Sequence, residues 1–221
     1  MAETAHKTDE EKKEYFDTPE ELERKVDQLV SDIRSANHFV VFTGAGISTA
    51  AGIPDYRSGV NTVLKTGPGC WEKKANLQKA AREGKKVQPV KSKEEFRVAI
   101  SKALPTQSHM SLVALLEAGF LKHTISQNVD GLHRKSGIPA DRITEVHGNK
   151  NLEICAKCSK GYMRDFRTRT AKRVHDHKTG RKCDDKKCGG ELHDTIINFG
   201  ENLRDVDVDK GFEQGELSVC F

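Results

Sequence analysis

Aromatic residues are scarce in this sequence, and long apolar runs are missing. Tryptophan occurs once and tyrosine three times, and aromatic residues make up 6% of the 221 positions, which argues against a carbohydrate-binding surface. No apolar run approaches the ~18 residues of a membrane-spanning helix. Residues 1–17 have no apolar segment of the kind found in secretory signals. We therefore expect a protein that is neither secreted nor held in a membrane.

Charges of the two signs nearly balance. Thirty-seven Lys and Arg against 33 Asp and Glu leave a net charge of +4, too small to indicate a nucleic-acid partner by itself. The length fits one large domain or one domain with a small added module. Residues 1–17 are rich in charge and poor in apolar side chains, which predicts a disordered tail.

Helices and strands alternate along the sequence. Thr18, Pro19 and Glu21 form a capping box that opens a predicted helix running to about Ala36. Apolar runs predict strands, the first buried on both faces, at 39–42, 120–126, 143–146 and 195–199, with helices starting after 46 and 105. This alternation favours an α/β fold with a Rossmann-like parallel sheet.

Four of the six cysteines lie close together in the sequence. Cys155, Cys158, Cys183 and Cys188 have the spacing C-x2-C-x24-C-x4-C. Two such pairs supply the four thiolates of a closed, structural zinc site, and the missing export signal favours metal over disulfides. Ordinary buried thiols remain the alternative. Nearby histidines at 175, 177 and 193 are alternative ligands, although exposed or core histidines are the more common case.

Three short motifs lie at the predicted ends of strands, where open α/β sheets bind their ligands. Gly44, Ala45 and Gly46 follow the first strand, but Thr49 replaces the third glycine of a dinucleotide fingerprint, so a plain tight turn is the alternative. The second motif is polar and consists of Gln127, Asn128 and Asp130, for which a capped turn is the alternative. The third contains His147, which is suited to general-base chemistry, with a structural histidine as the alternative.

The motifs together are more specific than each alone. The segments FTGAGISTAAGIPDYR, SQNVDGLHRKSG, EVHGN, the four cysteines and NFGE occur in this order. Over about residues 20–219 the chain closely resembles the sirtuins, which are NAD-dependent protein deacylases. The sequence of these segments is most similar to the class IV branch, which includes nuclear sirtuins of animals.

The resemblance implies a role for each motif. NAD phosphates would meet backbone N–H groups of the turn 44–46, and a cofactor loop would contain Asp55 and Arg57. The residues around the nicotinamide and ribose would be Gln127, Asn128 and Asp130. His147 would be the catalytic base that takes a proton from a ribose hydroxyl. Phe199, Gly200 and Glu201 would pair with the substrate peptide as an added strand.

The implied reaction moves the acyl group of an acyl-lysine onto ADP-ribose and releases nicotinamide. NAD is then a co-substrate, and one zinc per chain is structural. Expected partners are acyl-lysine proteins, histones among them, with weak nucleic-acid contact through the basic zinc module. The branch resemblance suggests a nuclear location, with the cytoplasm as the alternative.

The sequence also departs from the family. Sirtuins continue beyond the point that corresponds to Phe221, so we interpret the chain as truncated and expect it to have little activity. We divide it into the tail, a Rossmann-like part at 18–151 with a basic insertion at 72–104, a zinc module at 152–193 and a return strand with the truncated end at 194–221. Two alternative functions are a zinc-dependent chromatin or nucleic-acid binding module without catalysis, and an NAD-dependent protein ADP-ribosyltransferase.

Overall fold

A computed structural model describes residues 15–58, 62–84 and 102–217. Within these residues the chain forms two compact units. The first draws on the described residues of 15–37 and 45–112, and the second on 38–44 and 113–217. The predicted tail and most of the basic insertion, at 1–14 and 85–101, lie outside the described residues.

The first unit begins with the predicted capped helix. Helix α1 spans Pro19–Ser35, and the Thr18 hydroxyl accepts a hydrogen bond from the Glu21 backbone N–H at 3.2 Å. Its apolar residues Leu22, Val26 and Leu29 are exposed. A 3-10 helix at Ala45–Ala51 follows the glycine turn, where we expected an α-helix to start, and helix α2 covers Cys70–Arg82, the start of the basic insertion.

A parallel three-stranded sheet organises the second unit. Its strands are β1 (Phe39–Thr43), β2 (Leu121–Ser126) and β3 (Ile143–Glu145), with β2 in the centre. Helix α3, Gln107–Glu117, precedes β2, and the short helix α4, Leu132–Ser136, follows it. The prediction that the first strand is buried on both faces is wrong. Strand β1 pairs only with β2 in the described sheet, and Phe42 is 64% exposed.

The cysteines belong to a second, antiparallel sheet in the same unit. It contains β4 (Leu152–Cys155), β5 (Gly161–Met163), β6 (Lys178–Lys182) and β7 (Glu191–Asp194) in the order β5-β4-β7-β6. Two buried carboxylates, Glu153 and Asp194, sit directly opposite each other on β4 and β7. Like charges placed in this way repel, and arginines from loops and strands compensate them. Arg164 and Arg181 pair with Glu153, and Arg169 with Asp194.

The predicted strand at 195–199 is also wrong. Strand β7 ends at Asp194, and residues 195–198 after it form no strand in the described part of the chain. Their backbone N–H groups bind elsewhere: Ile196 donates to the Asp194 carboxylate and Ile197 to the His147 carbonyl. Apolar composition predicted a strand here, but the N–H groups find their partners outside any sheet.

Helix α5, Asp205–Glu216, ends the described part of the second unit. Its Lys210 ammonium donates to the carbonyls of Ala140 and Ile143, so the helix contacts the start of β3. We predicted no helix here. No described helix is long and apolar enough to cross a membrane.

Candidate functional site

The three parallel strands end at one edge of the sheet, and most of the predicted site residues follow them there. The Gln127 backbone N–H donates to the Thr43 carbonyl at 3.0 Å, and the Val146 N–H donates to the Ser126 carbonyl at 3.0 Å. These bonds extend the strand register by one residue. Gly44, Gln127 and His147 therefore emerge side by side at the carboxyl edge, the usual place for a ligand site in such sheets.

His147 has a defined tautomer in its neutral form. Its Nδ1 lies 2.9 Å from the Gln127 carbonyl oxygen, which can only accept a hydrogen bond. Nδ1 must therefore carry the proton, which leaves the lone pair on Nε2. The residue is partly exposed. An oriented imidazole with a free basic nitrogen, open to a ligand, is the arrangement that general-base catalysis needs.

The turn after His147 is packed against the segment that leaves the antiparallel sheet. Gly148 has φ +79°, and a Cβ at this position would lie 1.8 Å from the Thr195 carbonyl oxygen. Only glycine fits both the left-handed backbone and the close approach. The Ile197 N–H donates to the His147 carbonyl at 3.1 Å. The histidine loop and residues 195–197 thus form one hydrogen-bonded structure.

The contacts of the polar residues after β2 fit both interpretations of this motif, a ligand site and a capped turn. The Asn128 side-chain amide donates to the Gly44 carbonyl at 2.8 Å, which joins the second motif to the glycine turn. The Asp130 carboxylate accepts from the Leu132 N–H at 2.9 Å, at the start of helix α4. The contact between Asn128 and Gly44 was not predictable from sequence, because 84 positions separate them.

The glycine turn leaves its backbone open. Among the described residues, no heavy atom lies within 4 Å of the place a Cβ would take at Gly44 or at Gly46. An anionic group can approach the main chain closely at such positions, as phosphates do at glycine-rich turns. Ala45 and Gly46 belong to the 3-10 helix that follows Gly44.

Asp55 and Arg57 lie on a well-anchored loop of the first unit. The Asp55 carboxylate accepts from the backbone N–H and the hydroxyl of Ser58, and its carbonyl accepts from the Cys70 N–H at 2.8 Å. The Arg57 guanidinium lies 5.2 Å from the ring centroid of Trp71, a cation–π distance. The Asp55 carboxylate therefore shapes the loop.

Glu145 lies at the end of β3, two residues before His147, and is not among the predicted site residues. Burial raises the pKa of its carboxyl to about 7, although a hydrogen bond from the Asn149 side chain, 2.6 Å long, opposes the shift. Asn149 is fully buried and also exchanges hydrogen bonds with Thr195. The motif EVHGN contains both residues, but sequence alone does not show that they are in contact.

The four cysteine sulfurs converge as predicted. All four Sγ atoms lie within 4.8 Å of one another, with Cys155 to Cys188 at 3.6 Å and Cys158 to Cys183 at 3.8 Å. Tetrahedral zinc with Zn–S bonds of about 2.3 Å separates its sulfurs by about 3.8 Å. The four thiols are thus close enough to bind one zinc ion. The backbone N–H of Cys158 lowers the pKa of Cys155, which favours its thiolate, the form that binds a metal.

Two neighbours shape the cysteine cluster. The Tyr162 hydroxyl lies 3.0 Å from Cys183 Sγ, and this bond to the thiol raises the pKa of Tyr162 to about 12, so the phenol keeps the proton that it can donate. Gly190 passes so close that a Cβ would lie 2.5 Å from Cys155 Sγ. No prediction named either residue, although Gly190 follows the second cysteine pair closely in sequence.

The predicted alternative ligands lie outside the four-sulfur cluster. The His177 ring contacts the carboxylates of Asp194 and Glu201, and His175 contacts Glu201. His193 is partly exposed on β7. The cysteine cluster is complete without any of the three.

Residues 44–219 match the Sir2 family. A parallel sheet with a glycine turn, an oriented histidine at the strand ends and a four-cysteine module define the same class of protein. This chain belongs to the Sir2 family, as the resemblance predicted.

Named relatives agree with the family assignment. The chain is 42% identical over 212 residues to the NAD-dependent protein deacetylase SRT1 of Oryza sativa subsp. indica, covering 94% of this chain and 38% of the relative. It is 44% identical to the NAD-dependent protein deacetylase sirtuin-7 of Bos taurus, covering 85% and 41%. The chain therefore spans about two fifths of the length of these relatives. A shorter relative, the NAD-dependent protein deacetylase sir-2.4 of Caenorhabditis elegans, is 36% identical, and the match covers 95% of this chain and 67% of that relative.

Solved structures confirm the fold. A mutant Sir2 homologue in complex with ADP-ribose superimposes with a TM-score of 0.57 at 24% identity, covering 87% of this chain and 71% of that one. A Sir2 protein bound to acetylated peptide gives a TM-score of 0.52 at 22% identity, covering 87% and 72%. The Rossmann-like sheet with its inserted cysteine module is therefore the Sir2 fold.

Proposed function

We propose that this protein removes acyl groups from lysine side chains of other proteins, with NAD as co-substrate. The acyl group is transferred to ADP-ribose, and nicotinamide is released. The observation that carries the proposal is the hydrogen bond from His147 Nδ1 to the Gln127 carbonyl, which leaves Nε2 basic and partly exposed at the carboxyl edge of the sheet. The names of the relatives, which are NAD-dependent protein deacetylases, support it.

We assign NAD binding to the residues that the family resemblance named. The open backbone at Gly44, Ala45 and Gly46 would receive the phosphates, and Asp55 and Arg57 would contribute the cofactor loop. Around the nicotinamide and ribose we assign Gln127, Asn128 and Asp130. When bound, NAD supplies the electrophilic ribose carbon and the leaving nicotinamide. Asn128 would hold the glycine turn in place by its bond to the Gly44 carbonyl.

His147 is assigned the proton transfer. In its neutral form His147 would accept a proton at Nε2 from a ribose hydroxyl of bound NAD, and the Gln127 carbonyl would stabilise the imidazolium through Nδ1–H. Gly148 lies against Thr195, and the Ile197 N–H bonds the His147 carbonyl, so the histidine loop is joined to residues 195–197. The acyl-lysine peptide would bind along the segment that ends at Phe199, Gly200 and Glu201, by backbone hydrogen bonds of the strand-addition kind.

Zinc is assigned a structural role. The ligands would be Cys155, Cys158, Cys183 and Cys188, and a four-thiolate site leaves no open position for substrate. The module that they hold contains a small buried cluster of Cys155, Cys183 and Leu192, which is little core for independent folding. Zinc would therefore stabilise the antiparallel sheet.

The decisive experiment supplies NAD and an acetyl-lysine peptide to the purified protein and measures nicotinamide and deacetylated peptide. We expect both products in equal amounts, and loss of a general base in His147→Ala should lower turnover at least about 100-fold. The variant His193→Ala removes a histidine from β7 that lies outside the proposed catalytic residues, and it should retain activity. Turnover by His147→Ala within tenfold of wild type would assign the base to another group.

The two alternative functions have less support. Residues 160–187 carry eleven Lys and Arg against four Asp and Glu. Five of the eleven contact carboxylates within 4 Å, which reduces the charge available for nucleic-acid phosphates: Arg164, Arg169, Lys178, Arg181 and Lys182. The relatives named above do not bear out the binding module, the ADP-ribosyltransferase or the expectation of inactivity. The same assay separates these functions, because ADP-ribosyl transfer would leave label from NAD on protein.

Histone substrates and a nuclear location complete the proposal. Both rest on the resemblance to the class IV branch, and weak contact with nucleic acid would come from the basic residues of the zinc module. Imaging of a fluorescent fusion and deacetylation of histone peptides, compared with non-histone peptides of equal charge, test the two points directly. Exclusion of the fusion from nuclei would contradict the location.

A further inference from the structure

A chain of charged and polar side chains connects the antiparallel sheet to the turn that follows it. We call it the His177 clasp, and it consists of Arg169, Asp194, His177, Glu201 and Asn198. Asp194 ends strand β7, His177 lies directly before strand β6, and Asn198 and Glu201 belong to the turn at 198–201. Its side chains are mostly buried, with Asp194 at 0%, Glu201 at 9% and His177 at 26% exposure.

Glu201 builds the turn by binding back to Asn198. Its carboxylate accepts the Asn198 backbone N–H at 2.5 Å and the Asn198 side-chain amide at 2.9 Å, while the Glu201 N–H donates to the Asn198 carbonyl at 3.0 Å. Burial disfavours the charged carboxylate, but the Asn198 and His177 bonds outweigh it and hold the pKa of Glu201 at about 2. The turn thus depends on an ionised, fully bonded Glu201.

His177 supplies the support that comes from outside the turn. Its Nε2 lies 3.1 Å from Glu201 Oε1, and its Nδ1 lies 3.4 Å from Asp194 Oδ1. The Arg169 guanidinium, which can only donate, pairs with Asp194 and lies 3.5 Å from the same Nδ1. This arrangement favours the proton on Nε2, the atom that faces Glu201. The backbone is held as well, because the Asp194 N–H donates to the His177 carbonyl.

We propose that His177 is a positioning residue for the acyl-lysine peptide. By donating to Glu201 it holds the turn at 198–201 in the conformation that accepts a peptide strand. This inference rests on the proposed function, which assigns the segment to peptide binding. Ile197, directly before the turn, is held by its own hydrogen bond to the His147 carbonyl. The turn and the residue that leads into it are therefore preorganised for a partner strand.

His177 contacts Glu201 together with a second histidine, which gives the experiment its internal comparison. His175 Nδ1 also lies 3.0 Å from Glu201, but its side chain is 65% exposed. Exposed pairs of this kind contribute little. His175→Ala should therefore have a small effect, whereas His177→Ala should weaken peptide binding.

The experiment measures the affinity of the protein for a fluorescent acetyl-lysine peptide, together with its affinity for NAD and its zinc content. We expect His177→Ala to weaken peptide binding five- to twentyfold, with zinc content unchanged and NAD affinity within twofold of wild type. His177→Gln, which keeps an N–H donor, should restore part of the loss. In a variant that already carries Glu201→Gln, His177→Ala should cause little further loss. His193→Ala, on the same sheet, is the matched control and should bind peptide like wild type.

Three results would overturn the inference. Peptide affinity within twofold of wild type in His177→Ala would show that the clasp does not position the substrate segment. Loss of zinc, or equal losses of NAD and peptide affinity, would show that His177 stabilises the module in general. If wild-type protein binds no acetylated peptide in the presence of NAD, the proposed function fails and the inference fails with it. The first two results leave the proposed function intact.

Discussion

Glu145 is expected to make the stability of the protein depend on pH near neutrality. The folded structure raises the pKa of this carboxyl from 4.5 to about 7, mainly because the group is buried. The folded state therefore holds a proton that the unfolded state has already released between these two values. The stabilisation is complete below pH 4.5 and is lost as pH rises towards and through 7.

The size of the effect follows from the shift. A difference of about 2.5 pH units at 1.36 kcal/mol per unit corresponds to about 3 kcal/mol. Glu145 keeps some contact with solvent, and screening makes this value an upper bound. Glu145→Gln removes the titration and keeps an oxygen that can accept from Asn149. We expect the variant to gain up to about 3 kcal/mol relative to wild type between pH 4.5 and pH 8.

Urea unfolding at half-unit steps from pH 4.5 to 8.5, with zinc saturating, provides the measurement. The difference between variant and wild type isolates Glu145, because the other titrating groups are common to both proteins. Glu117→Gln, an exposed change at the end of α3, should give a difference that stays flat. A flat difference for Glu145→Gln as well would refute the burial argument.

Two glycine substitutions and one tyrosine substitution test the remaining close contacts. Gly148→Ala forces a Cβ into the Thr195 carbonyl at positive φ, and a loss of stability above about 2 kcal/mol should appear in the same urea assay. Gly190→Ala places a Cβ 2.5 Å from a zinc-site sulfur, and competition with a chromophoric chelator should show faster zinc release. Tyr162→Phe removes the hydroxyl beside Cys183 but keeps the ring, and zinc affinity should fall about tenfold.

The predictions for these variants can each be contradicted by a specific result. Gly161→Ala is the control for the glycine variants, since its Cβ would meet only the end of Leu152 at an ordinary 3.5 Å. Equal stability losses for Gly148→Ala and Gly161→Ala would remove the argument from close approach. Zinc affinity unchanged in Tyr162→Phe would show that the 3.0 Å contact does not support the metal site.

The sequence was most informative where one local rule determines the structure. The capping box at Thr18 and Glu21 predicted the start of α1, and the spacing of the cysteines predicted their convergence. Apolar runs located three strands of the parallel sheet, at 39–42, 120–126 and 143–146, but they also predicted a strand at 195–199 that does not form. Periodicity and spacing are properties of nearby residues, and they remain readable without knowledge of the fold.

Interactions between distant positions were not readable in this way. The bond from Asn128 to Gly44 spans 84 positions, and the contact between His177 and Glu201 spans 24. The segment after β7 has strand-like composition, but its N–H groups bind the Asp194 carboxylate and the His147 carbonyl. Composition reports burial and extension, and it carries no information about which acceptor a backbone group meets.

The crossed hydrogen bonds between Asn149 and Thr195 have a consequence for how this fold can change. The Asn149 N–H donates to the Thr195 hydroxyl at 3.0 Å, and that hydroxyl lies 3.1 Å from the Asn149 carbonyl. The chain thus enters and leaves the antiparallel sheet, with its cysteines, at nearly the same point. Insertion or exchange of the material between them requires no adjustment of the parallel sheet, since the ends already meet. The cysteine module can therefore acquire new loops and new surfaces while the strand ends beside His147 keep their positions.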